Sequence, residues 1–81
     1  MADPTYAVGE RVLVFLDSKN WRSTGWFPGT VVRVDPYSQH RSFYWIELDT
    51  AVVDARGGMT NLLSVFNPRH IHQEEGANKQ I

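Results

Sequence analysis

A small all-β barrel is what this sequence predicts, and three observations predict it. Four short runs rich in β-branched and aromatic residues recur along 81 residues, each fenced by turn formers. No stretch carries the 3.6-residue apolar spacing of an amphipathic helix. After the fourth run, Asn67-Pro68-Arg69-His70 breaks the chain, because proline cannot donate to a strand ladder. A single 3₁₀ turn there leads into a fifth, very short strand at Ile71-His72.

The elements follow in order. Residues 1–7 read as a flexible N-terminal arm, since Asp3-Pro4 favours extended or turn backbone. The first strand is Arg11–Leu16. Val12, Val14 and Leu16 share one face, Leu13 and Phe15 the other. Both faces are apolar, so coverage on both sides is expected. Asp17 to Pro28 is a long first loop holding Trp21, Trp26 and Phe27 among polar turn formers. Rings in such a loop either close one end of the fold or meet a ligand. Gly25 and Gly29 can supply the positive φ of tight corners.

The second strand is Gly29–Asp35, with Val32 and Val34 on one face, Val31 and Arg33 on the other. The turn cluster Asp35–His40 follows. In the third strand, Phe43–Asp49, the apolar set Tyr44, Ile46 and Leu48 faces the core. Phe43, Trp45, Glu47 and Asp49 face outward, the alternation of an antiparallel sheet with one polar face. Thr50 to Gly58 is a hairpin connection that Ala51-Val52-Val53 can shorten by extending the strand; Gly57-Gly58 is its strongest turn signal. The fourth strand is Met59–Phe66. One domain, residues 8–72, is therefore expected, with a polar, disordered tail over 73–81.

Composition narrows the function classes. Without cysteine there is no disulfide and no thiolate metal site, and a small cysteine-free domain reads as intracellular, cytoplasmic or nuclear. Met-Ala-Asp-Pro has neither a basic nor an apolar leader pattern. The longest apolar run, Val12 to Leu16, falls far short of the roughly 20 residues that cross a bilayer. The net charge of −1 argues against a dominant phosphate-binding face and leaves self-association open.

Three segments carry a family likeness. Val8-Gly9-Glu10-Arg11-Val12, Trp26-Phe27-Pro28-Gly29-Thr30-Val31-Val32 and Tyr44-Trp45-Ile46-Glu47-Leu48-Asp49 resemble the strand openings of SH3-like barrels, the Tudor/agenet group above all. The resemblance spans residues 8–72 and implies a five-stranded SH3-like, Tudor-like barrel with a 3₁₀ turn before its last strand. Many Tudor-type domains bind methylated lysine or arginine in an aromatic cage by cation–π attraction. Carried over, Trp26 matches the aromatic that opens the second strand, and Asp49 the acid after the third. The aromatic that often follows that acid is replaced by Thr50-Ala51, so Trp21 or Phe43 would have to complete a cage. A second likeness, to plasmid-type dihydrofolate reductase barrels, rests on Trp26–Gly29 and Ser64-Val65-Phe66-Asn67-Pro68. That family's Gln and Tyr, which hold cofactor and substrate, are absent here.

The aromatic set is the leading functional feature. Trp21, Trp26, Phe43 and Trp45 are the candidate contact rings, against the plainer reading that they cap a small core. Glu47 and Asp49, beside Trp45, would orient a positive group. No nucleophile–base pair, phosphate loop or dinucleotide fingerprint is present, so neither catalysis nor a cofactor is expected. His70 and His72, with His40, form at most a sparse metal set, and no metal is expected. The expectation is a non-enzymatic module that binds a protein or peptide, basic or methylated. The alternatives are a nucleic-acid barrel using Arg22, Arg33 and Arg41, a small oligomeric reductase, and a structural subunit covered by a partner chain.

Overall fold

A computed structural model describes residues 5–39 and 42–74. Its strands are β1 (Arg11–Leu16), β2 (Gly25–Pro36), β3 (Ser42–Val53), β4 (Met59–Val65) and β5 (Ile71–Gln73), with one 3₁₀ turn at Pro68–His70. All pairings are antiparallel, and the strand order is β4-β3-β2-β1-β5. The all-β class, the five strands and the 3₁₀ turn are as the sequence predicts. The hydrogen-bonded ladder does not close, because β4 and β5 are its two edges among the described residues. Among those residues, no helix is long and apolar enough to cross a membrane.

β1 shows how alternation builds the core. Val12, Val14 and Leu16 are buried, while Arg11, Leu13 and Phe15 on the other face are half-buried. Val12, Val31 and Ile46 lose all their solvent contact, and burying a side chain of this size contributes about 1.5–3 kcal/mol. Leu48 and Val52 of β3, Leu63 and Val65 of β4, and Ile71 of β5 complete one apolar layer.

β2 starts earlier than its sequence suggests, because Leu16 pairs with Gly25 and Phe15 with Trp26. Gly25 does adopt positive φ, +110°. Gly29 does not; there the reason for glycine is crowding. A Cβ would lie 2.8 Å from both the Glu47 carbonyl oxygen and Ile46 Cγ2. The register slips between Val31 and Arg33, leaving Val32 as an extra residue opposite β3. Simple alternation, which groups Val32 with Val34, therefore fails. Val31 is buried and Val34 packs on the core, whereas Val32 and Arg33 both face solvent.

β3 runs on through Ala51-Val52-Val53, and a second slip bends it. Glu47 pairs with Leu62 and Val52 with Thr60, so Leu48–Ala51 lie opposite Asn61 alone. The turn that follows is held by Asp54, whose Oδ1 accepts from the Arg56 and Gly58 amides at 2.9 Å each. The long first loop docks on the end of β3. Arg22 N–H donates to the Val53 carbonyl at 2.8 Å, and Ala55 N–H to the Asn20 carbonyl at 2.9 Å.

Within the stretch read as an arm, Tyr6 packs on the core. Its ring meets Tyr44 edge-on at 5.3 Å, and its hydroxyl donates to the Ile71 carbonyl at 3.2 Å. Burial, with help from Glu10 and Tyr44, raises the phenol's pKa. At the other end, Gln73 belongs to β5, and Glu74 N–H donates to the Arg11 carbonyl at 3.2 Å. Residues 75–81, read as tail, lie outside the described residues, as do residues 1–4.

Candidate functional site

The outer face of β2, β3 and β4 holds the candidate site. Alternation turns Trp45 outward from β3, since Tyr44 and Ile46 on either side are buried. The β2 bulge pushes Val32 out beside it, 41% exposed. Leu62 of β4 stands cross-strand from Glu47 and is 49% exposed. Val32, Arg33, Trp45 and Leu62 line a shallow depression of ≈ 250 Å³. The indole is fixed in place. Its Nε1–H donates to Asp35 Oδ2 at 3.1 Å, and Asp35 Oδ1 accepts from Arg33 Nε at 2.8 Å. Glu47 lies two residues from Trp45 on β3, is exposed, and pairs with both Thr30 and Leu62.

Asp49 has a different role from Glu47. Arg11 grips it in a two-pronged contact, Nη1 to Oδ1 at 2.8 Å and Nη2 to Oδ2 at 2.6 Å. The same guanidinium donates to Thr30 Oγ1 at 2.9 Å and to Glu74 Oε1 at 3.0 Å. These bonds hold Asp49 below the usual carboxylate range and push Arg11 further up. Asp49 therefore serves an internal cation, while Glu47 has no hydrogen-bond or ion-pair partner among the described residues.

The four expected rings are not drawn into one cluster. Trp21 is half-buried and packs against the core near the Asp54 turn, with which it forms an isolated bridge. Trp26, 44% exposed, pairs with Phe15 of β1; its ring partners are Phe15 at 5.3 Å and His72 at 4.4 Å between centroids. Phe43 packs with Tyr37 at 5.7 Å and Phe66 at 4.7 Å. A cage for a methylated ammonium needs several ring faces free around one volume. Here three of the four rings are engaged with other side chains, and Trp45 alone opens onto the depression.

Two of the three arginines of the nucleic-acid alternative lie among the described residues. Arg33 is tied to Asp35, and Arg22 lies over Gly57 in the first-loop region. Arg41 is outside the described residues, as is His40. His70 stacks on Phe15 at 5.5 Å and His72 on Trp26. Among the described residues no three His, Cys, Asp or Glu are placed to hold a metal ion.

Sequence reasoning missed Val32, Leu62 and Asp35 as site residues. For two of them a signal exists. Val31-Val32 and Leu62-Leu63 are apolar pairs on strands, and a period of two forces one member of each pair outward. Comparison of the chain with protein-family models, with curated proteins and with solved structures gives no match.

Proposed function

We propose that this chain is a non-enzymatic binding module of the SH3-like, Tudor-like kind that recognises a short protein segment. The strand order and the 3₁₀ turn before β5 support that architecture. One observation carries the functional reading: an apolar depression with a hydrogen-bonded indole on one wall, and with the exposed Glu47 two residues along β3 from that indole. Such a site takes one apolar side chain between Val32, Trp45 and Leu62. A neighbouring Lys or Arg of the same segment reaches Glu47. Fixing the indole in advance lowers the ordering cost of binding. With one ring rather than several, the site favours an unmethylated basic residue over a methylated one.

The test is an amide and indole N–H correlation spectrum titrated with short peptides that pair an apolar residue with a basic one. The expected result is saturable movement of the Trp45 indole signal and of the Val32 and Leu62 amides; in Trp45→Ala those amides no longer move while the fold stays cooperative. An oligonucleotide that moves the same signal, with binding that falls steeply as salt rises, overturns the reading in favour of nucleic acid.

A further inference from the structure

We propose that β4 is a strand-addition edge whose occupant is a second copy of this chain. β4 pairs with β3 on one side and with no other strand among the described residues. Soluble proteins blunt such edges with lysines, prolines, bulges or inward-pointing charges. The β4 sequence Met-Thr-Asn-Leu-Leu-Ser-Val contains no charged residue and no proline. It instead carries two exposed apolar side chains, Met59 at 70% and Leu62 at 49%. The other edge, β5, is only three residues long, and brevity protects it.

Charge selects the occupant. In a two-fold contact the residues nearest the axis meet their own copies, so any charge close to the axis meets a like charge. β4 has none, and the chain's net charge of −1 adds little repulsion between copies. A charged peptide strand finds no complementary charge along β4 to select it. Antiparallel β4–β4 pairing about an axis normal to the sheet keeps both outer faces on one side. The two Trp45 depressions then open side by side on a continuous sheet.

Thr60 sets the strength of the pairing. Its hydroxyl accepts from Leu62 N–H at 3.2 Å and donates to the Leu62 carbonyl at 3.1 Å. Those two backbone groups thus have a partner before any second strand arrives. A docking copy exchanges that hydroxyl for a ladder bond, and little is gained at this residue. The rest of the ladder and the Met59 and Leu62 side chains supply the attraction, so the dimer is weak and concentration-dependent.

Sedimentation equilibrium of the full chain over a wide concentration range tests this. The expected result is a reversible monomer–dimer equilibrium that Thr60→Ala tightens about tenfold. Leu62→Lys and Leu62→Glu each abolish association, and mixing the two restores a dimer. Asn61→Lys, also exposed on β4, replaces either variant that fails to fold by near-ultraviolet circular dichroism. Trp45→Ala, off the edge, leaves the dimer intact, which separates this proposal from the peptide site. Monomers throughout in both wild type and Thr60→Ala overturn it. So does a dimer indifferent to Leu62→Lys, or a mass that climbs past two copies.

Discussion

Asp35 holds Trp45 by its indole nitrogen. One carboxylate oxygen accepts from Nε1–H at 3.1 Å while the other takes Arg33. The Asp35→Ala variant releases both contacts. The Trp45 indole proton is then expected to exchange faster with solvent, and peptide affinity to fall about tenfold. Because the carboxylate is partly exposed, thermal stability should change by less than about 1 kcal/mol. Hydrogen-exchange spectra and a peptide titration on the same sample check the two effects together. An unchanged indole exchange rate would mean that packing, not Asp35, sets the ring.

Gly29 marks the tightest approach between β2 and β3. A methyl group there collides with the Glu47 carbonyl, which cannot swing away without breaking the ladder. Gly29→Ala is expected to cost about 1–3 kcal/mol. Urea unfolding should show a lower midpoint with an unchanged slope. A midpoint equal to wild type sinks the crowding argument.

The Arg11–Asp49 contact gives stability a dependence on pH. Asp49 has a lowered pKa in the folded protein, chiefly through its hydrogen bonds from Arg11. Its contribution is therefore complete above the unfolded carboxylate value, about 3.9. It fades as pH falls through the depressed folded value. Both groups are substantially exposed, so the effect stays below about 1 kcal/mol. Melting curves of wild type and Asp49→Asn should differ near neutral pH and converge in strong acid. Curves that stay parallel throughout would assign the difference to something other than ionisation.

Tyr6→Phe removes the hydroxyl that reaches Ile71. The expected loss is about 0.5–1.5 kcal/mol by denaturant unfolding. The ring contact with Tyr44 survives in this variant, so the N-terminal segment should remain docked. Loss of amide protection over residues 5–10 would show instead that the hydroxyl does the docking.

The legibility of this chain varied with the range of the interaction. β1 could be read residue for residue, because Val12, Val14 and Leu16 obey a strict period of two. Pro68, the break before β5, was equally plain, since its chemistry is local. Val32 was misplaced because one extra residue in β2 reverses the alternation beyond it, and no residue type announces a bulge. The early start of β2 depends on Phe15 pairing with Trp26, a tertiary fact. The acidic pair looked uniform in sequence. Arg11, distant along the chain, takes Asp49, and Glu47 has no such partner among the described residues. The outward placement of Trp45 follows from alternation in β3, but where the other rings stack is decided by partners such as His72 and Phe66.

The pairing of β1 with β5 governs how this domain answers a pull. Val12 lies opposite Gln73, so the chain enters β1 and leaves β5 at the same end of that pair. Tension applied through residues 5 and 74 does not shear the ladder all at once. It first strains the Glu74–Arg11 contacts and the Tyr6 hydroxyl, then opens the β1–β5 bonds in sequence from Gln73 toward Ile71. A ladder loaded like a zipper resists only as strongly as its next bond. As a link in a stretched chain, this domain yields at low force, and β5 peels away before the β2–β3 heart of the sheet bears any load.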